Sequence, residues 1–277
     1  MSSGGPQGEN RRVTTHDFIE MKRRGEKIAV LTCYDYLFAR ILDDTALDAV
    51  LVGDSLGQVS LGYASTLPVT LDDMIHHARA VRRGTSRALL IVDLPFLSYQ
   101  VSDEEALRNA GRVLKESGAE AVKLEGGDRA ALDRVRALVG AGMPVMGHLG
   151  LTPQSLHQLG GYRVQGRDAG GAARIFESAR ALEDAGCFSL VLELVPSDLA
   201  AEISGSLEIP TIGIGAGPAA DGQVLVLPDM LGLNEGFAPR FLRRFADLGE
   251  AVRDGVRGYV EAVKAEEYPG PSESYDA

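Results

Sequence analysis

Cysteine is scarce: Cys33 and Cys187 are the only two in 277 residues, and both sit inside apolar segments. That excludes a disulfide scaffold and a Cys-rich metal site, and it points to a reducing compartment. The opening stretch MSSGGPQGENRR lacks the ~7 to 15 apolar residues of a signal peptide, and no run reaches the roughly 18 that cross a bilayer. A soluble cytoplasmic protein without a membrane partner is expected. Positive charge is short as well, with 28 Lys and Arg against 39 Asp and Glu and a net charge of −11. A nucleic-acid binder needs a basic face to displace counterions from phosphate, so no nucleic-acid partner is expected. The nucleotide pattern G-x-x-x-x-G-K-[ST] and the zinc-protease pattern H-E-x-x-H are absent too. GIGAGPAADGQ fails the dinucleotide fingerprint, because Pro218 stands where the third glycine belongs; it reads better as close backbone packing at a barrel mouth.

What the chain does have is apolar runs of strand length, near residues 28–33, 49–52, 88–92, 120–124, 144–147, 189–193, 210–214 and 223–227. Helical patterns lie between them. Thr70 and Ser102 are N-cap signals, Glu105 completes a capping-box spacing, and Gly84 and Gly118 are placed as C-terminal caps. Strands that are apolar at successive positions are covered on both faces, as in a parallel sheet wrapped by helices. Eight such units over some 250 residues predict an α/β fold, a (β/α)8 TIM barrel in a single domain of residues 13–264. The polar Gly/Pro/Ser-rich ends, residues 1–12 and 265–277, are expected to be a disordered N-terminal segment and a flexible tail. The connection after the fifth strand, GLTPQSLHQLGGYRVQGRDAGG, is too long for a bare turn and reads as a lid, a binding loop or a subunit contact.

Several strands end on a polar, mostly ionisable group: Asp54, Asp93, Lys123 with Glu125, His148 and Glu193. In a parallel barrel these ends share one mouth. Crowded carboxylates at Asp54, Asp93 and Glu125 are costly without a cation, and oxygen donors lacking a His/Cys cluster suit Mg²⁺. Each taken singly could instead cap the segment that follows it. Lys123, one of only five lysines, lies in the apolar stretch AVKLE, and alternation puts it on the same side as Glu125. It can bind an anionic substrate head; nearby carboxylates disfavour a Schiff-base role, and a structural Lys–Glu pair is the alternative. Glu193 has no basic neighbour in LVLELVP and suits taking and returning a proton. His148 either polarises or orients a ligand from beside the site, or is structural. His76 and His77 are neighbours on one helix, do not share a face, and read as structural.

The motifs TCYDYLFAR, VGDSLG, STLPVTLDDMIHHARAVRRG, DLPF followed by SY, AVKLEGG, PVMGHLGLTPQS, GGYRVQGR, LVLELVP, IPTIGIGAG and DGQVLV run in order from about residue 13 to 265. In these the chain resembles the ketopantoate hydroxymethyltransferase family, also called 3-methyl-2-oxobutanoate hydroxymethyltransferases, whose fold is a (β/α)8 barrel. The resemblance implies Asp54, Asp93 and Glu125 as Mg²⁺ ligands, Asp54, Ser55, Asp93 and Lys123 as substrate contacts, and Glu193 as the catalytic proton acceptor. It implies transfer of a hydroxymethyl group from 5,10-methylenetetrahydrofolate to 3-methyl-2-oxobutanoate, giving 2-dehydropantoate for pantothenate biosynthesis through a Mg-stabilised enolate. It also implies a homo-oligomer, with a decamer as one form. The chain departs from the family in reading Pro228–Asp229 where a His–Asp pair is expected after VLV. A Mg²⁺ lyase of the phosphoenolpyruvate mutase and isocitrate lyase type is the rival, but such enzymes commonly use a cysteine in a mobile loop, and residues 150–170 contain none. A non-catalytic ligand-binding barrel is the other.

Overall fold

The computed structural model describes residues 11–275; the rest of the two expected mobile ends, residues 1–10 and 276–277, lies outside the described residues. Eight parallel strands close into a barrel in sequence order. They are β1 Ile28–Thr32, β2 Ala49–Val52, β3 Leu89–Asp93, β4 Ala121–Lys123, β5 Val145–Gly150, β6 Ser189–Glu193, β7 Thr211–Ile214 and β8 Gly222–Leu225. β1 closes the ring on β8, with Val30 opposite Val224. Every strand expected from the apolar runs is present within a few residues, so the (β/α)8 barrel stands.

Alternation decides which side chains enter the barrel. The interior core holds Ile28 and Val30, Ala49 and Leu51, Leu89 and Ile91, Ala121, Met146, Val191, Ile212 and Val224. Continuing each row by two residues toward the carboxyl end brings Asp93, Lys123, His148 and Glu193 onto the same inward side. The opposite, amino end is plugged with apolar groups. Phe18, from the helix Thr15–Arg24, stacks edge-on against Phe188 at 5.8 Å, and both join the interior cluster. That helix is anchored by Lys22, whose Nζ donates to the Ser204 and Ile209 carbonyls and to Asp221. The barrel is therefore dry at one end and polar at the other.

Local signals behaved unevenly. Thr70 forms a full capping box with Asp73 at the start of Leu71–Gly84. Ser102 accepts from the Glu105 N–H at 3.1 Å, but no return bond from the Glu105 side chain accompanies it. Gly118 is the left-handed C-cap that its position predicts (φ 75°). Gly84 is not a cap: it ends the helix where a Cβ would sit 2.6 Å from Ala39 Cβ and 2.8 Å from the Tyr36 carbonyl, so it is there for close packing on the helix Tyr36–Asp43. Residues 215–221 join β7 to β8 without a helix, turning through left-handed Gly215 and Gly217. Strand burial fits the expected two-sided cover only in part: β2 and β3 are covered on both faces, whereas Ala29 of β1 and Gln223 of β8 are exposed. The long connection after β5 carries a 3-10 turn, Pro153–Ser155, and a short helix, Leu156–Leu159.

The chain packs as two compact units that part between Val226 and Leu227. The second contains the helix Leu248–Lys264, within the span expected for the barrel, and the 3-10 turn Pro271–Glu273, which falls in the stretch expected to be a flexible tail.

Candidate active site

At the polar end, β3 and β4 are in register with Asp93 opposite Lys123, and the Lys123 ammonium donates directly to Asp93 Oδ1. Both side chains are almost fully buried, at 5% and 4% exposure. Asp93 Oδ2 accepts the Asp54 backbone N–H at 3.2 Å. The turn that makes this bond needs Gly53, because a Cβ there would lie 2.9 Å from Ser55 Oγ and 3.3 Å from Asp93 Oδ2. Ser55 Oγ lies 2.8 Å from the Tyr34 hydroxyl, and Tyr34 is held in turn through its carbonyl by His77 Nδ1 at 2.7 Å. Residues 53–57 also match the G-x-S-x-G of a hydrolase nucleophile elbow. The partner found for Ser55 is a phenol and not an imidazole base, so that pattern carries no triad.

Glu193 is not as isolated as its own strand suggests. Parallel pairing of β5 with β6 sets His148 opposite Val191 and Gly150 opposite Glu193, and His148 Nε2 comes within 3.2 Å of Glu193 Oε2. On its other side His148 Nδ1 is 3.5 Å from Glu125 Oε1. Neither ring nitrogen makes a well-aligned hydrogen bond at these distances, so the contacts are charge contacts of a buried imidazole between two carboxylates. The backbone around Glu193 is constrained. Leu194 adopts φ 45°, rare for a branched residue, and a Cβ on Gly150 (φ 96°) would fall 2.0 Å from the Glu193 carbonyl.

Charge in the pocket is out of balance. Burial first, then the like charges of Asp93 and Glu125, hold the Asp54 carboxyl well above the usual range, against the pull of Lys123 and Gln154. Burial also raises Asp93, and the Lys123 ammonium only partly offsets it. Burial presses Lys123 downward, but Asp93, Glu125 and Asp54 override it and raise the amine above its ordinary value, which disfavours a Schiff-base nucleophile. Burial and Lys123 press His148 downward, and the Glu125 and Glu193 carboxylates win, so the imidazole is pushed up to about 9.

Surplus buried negative charge beside oxygen donors fits a hard divalent cation, and Mg²⁺ asks for only one or two carboxylates, keeping its other positions for water and substrate. Asp54 and Asp93 fit that role. Glu125, the third expected ligand, stands beside them at the same end; among the described residues no group of three His, Cys, Asp or Glu side chains is drawn together tightly enough to hold a metal. Glu125 Oε2 accepts the Gln154 backbone N–H at 3.0 Å and its Oε1 faces His148.

Sequence reasoning missed the polar side chains that hold this set in place, namely Tyr34, Tyr99 and Gln154. All three lie within the motifs that carry the family resemblance, so a signal existed. Nothing in their spacing assigned them a role, because their partners come from other strands.

A closed parallel barrel with titratable side chains gathered at the carboxyl ends of its strands defines the class of (β/α)8-barrel enzymes. Two solved structures share the fold. One is phosphonopyruvate hydrolase in complex with oxalate and Mg²⁺, at TM-score 0.60, 12% identity and coverage of 94% of this chain and 93% of that one. The other is 2,3-dimethylmalate lyase, a member of the PEP mutase/isocitrate lyase superfamily, at TM-score 0.58, 19% identity and 95% and 91% coverage. The chain belongs to the ketopantoate hydroxymethyltransferase family, whose profile matches residues 12–271. It is 55% identical to the 3-methyl-2-oxobutanoate hydroxymethyltransferase of Chlorobaculum parvum over 95% of this chain and 96% of the relative. It is 54% identical to that of Syntrophus aciditrophicus over 97% and 98%. The protein is a transferase.

Proposed function

We propose that the chain transfers a hydroxymethyl group from 5,10-methylenetetrahydrofolate to 3-methyl-2-oxobutanoate, with water completing 2-dehydropantoate and tetrahydrofolate. The observation that carries this reading is the Asp54–Asp93–Lys123 cluster facing Glu193 at one end of the barrel. Asp54 and Asp93 would hold Mg²⁺, and Lys123, protonated and buried, offsets the charge of the oxo acid. Ser55 stands next to Asp54 and offers a hydroxyl to the same substrate. Held by Asp54 and Asp93, Mg²⁺ would supply Lewis-acid stabilisation of the negative charge that develops on the oxo acid. Glu193 takes the C3 proton, with His148 Nε2 3.2 Å from its Oε2. C3 then forms the new bond to the one-carbon unit, whose two bonds to folate nitrogen are given up; water supplies the hydroxyl, and its remaining proton and the one taken from C3 end on the two freed nitrogens. The rival barrel lyase reading lacks its loop cysteine, since the connection 151–168 has none.

Turnover of the oxo acid should require both methylenetetrahydrofolate and Mg²⁺. Full turnover in a chelator rejects the metal, and no product with both present rejects the reaction. A cytoplasmic homo-oligomer accompanies the reading. Among the described residues no helix is long and apolar enough to cross a membrane. Val252, Val256, Tyr259 and Val263 recur at helical spacing on Leu248–Lys264 and are all exposed, which favours association of copies. Light scattering of the purified chain reads the copy number.

A further inference from the structure

Gln154 is buried at the start of the long connection after β5, and nothing above gives it a role in the reaction. Its side-chain Nε2 donates to Asp54 Oδ2 at 3.0 Å and to the Leu94 carbonyl at 2.9 Å. Its Oε1 accepts from the Tyr99 hydroxyl at 2.9 Å and from Gln100 Nε2 at 3.2 Å. Its backbone N–H donates to Glu125 Oε2 at 3.0 Å. Both amide hydrogens and both lone pairs are therefore used. The orientation of the amide is fixed as well, because a flip would set its oxygen against the Leu94 carbonyl, which only accepts.

The residue holding Gln154 is itself locked. The Tyr99 hydroxyl accepts the Glu125 backbone N–H at 3.2 Å, and its single proton goes to the nearer acceptor, Gln154 Oε1 at 2.9 Å, in preference to the Glu125 carbonyl at 3.2 Å. One residue thus ties the segments that follow β2 and β3, through its side chain, and the segment that follows β4, through its backbone, to the loop that follows β5. A neutral amide suits this place better than an ammonium or a carboxylate: it donates to Asp54 without neutralising the charge a cation needs, and adds none.

We propose that Gln154 is a positioning residue that fixes the rotation of the Asp54 carboxylate and, through its backbone, the place of Glu125, so that the site is set for a divalent cation and an oxo acid before either arrives. The proposal rests on the functional reading above. Partners of this kind are worth roughly 10- to 100-fold in metal affinity.

The test compares the full-length wild type with Gln154→Met, which keeps length and loses every polar contact of the side chain, and with Gln154→Leu, a second uncharged replacement that loses the same contacts with a different shape. Mg²⁺ affinity is read by calorimetry, with and without 3-methyl-2-oxobutanoate, beside thermal unfolding and a KM-against-kcat comparison. Both variants are expected to bind Mg²⁺ roughly 10- to 100-fold more weakly and to raise KM for the oxo acid more than they lower kcat. Tyr99→Phe keeps the donor on Asp54 and should lose about threefold or less. Three results overturn the proposal: Mg²⁺ affinity unchanged in folded Gln154 variants, an equal loss in Tyr99→Phe, or failure of both Gln154 variants to fold, which marks a scaffold residue. A wild type that takes up no Mg²⁺ overturns the functional reading and this one together.

Discussion

Replacing Lys123 with Met removes the ammonium that Asp93 holds and leaves a side chain of similar length in its place. Both members of the pair are nearly fully buried, so water cannot fill the gap, and Asp93 is left facing Asp54 and Glu125 with no countercharge from that side. Breaking a buried pair from one end costs about 3–5 kcal/mol, in line with about 4 kcal/mol for unit charges ~4 Å apart at an effective dielectric of 20. Urea unfolding in a chelator should show that loss. The partner replacement Asp93→Asn in the same chain should return about half of it or more, because the orphaned charge disappears with its partner. Saturating Mg²⁺ should narrow the gap to wild type further, since the variant presents more uncompensated negative charge to the cation. A loss below about 1 kcal/mol in chelator, or a double variant no more stable than Lys123→Met alone, would refute the picture of a buried, charged pair.

Glu193→Gln should lower exchange of the substrate C3 proton with solvent deuterium by about 10²- to 10⁴-fold while Mg²⁺-dependent oxo acid binding persists; undiminished exchange by NMR removes Glu193 from its role. Gly150→Ala places a Cβ 2.0 Å from the Glu193 carbonyl at φ 96° and threatens the 2.8 Å bond from the Leu151 N–H to that carbonyl; a loss of at least about 1–3 kcal/mol should appear in thermal unfolding, with proton exchange falling too. Asp43 accepts from the Ser86 hydroxyl and from the backbone N–H groups of Ser86, Arg87 and Ala88; burial pushes its carboxyl up, and these bonds more than reverse it, leaving it lowered. Asp43→Asn should cost about 1 kcal/mol, discounted for partial exposure. A lowered folded value means the wild-type advantage is present above the unfolded carboxyl value of about 3.9 and fades as pH falls through the folded one; an advantage that persists unchanged in unfolding measurements below pH of about 2 contradicts this.

By itself the sequence determined the eight strands, their parallel arrangement and the end of the barrel at which the polar groups gather, because apolar periodicity and strand-end polarity are local properties that survive without knowledge of partners. It also placed Asp54, Asp93, Lys123 and Glu193 on one mouth, since alternation along each strand extends the inward row from residues such as Ile91 and Ala121. Only the tertiary structure decided who touches whom. That His148 flanks Glu193, that Glu125 meets Gln154 and His148, and that Gly84 serves packing and not capping all depend on the register between neighbouring strands and the approach of neighbouring helices. Those are contacts between residues far apart in the chain, and no spacing within a single segment encodes them.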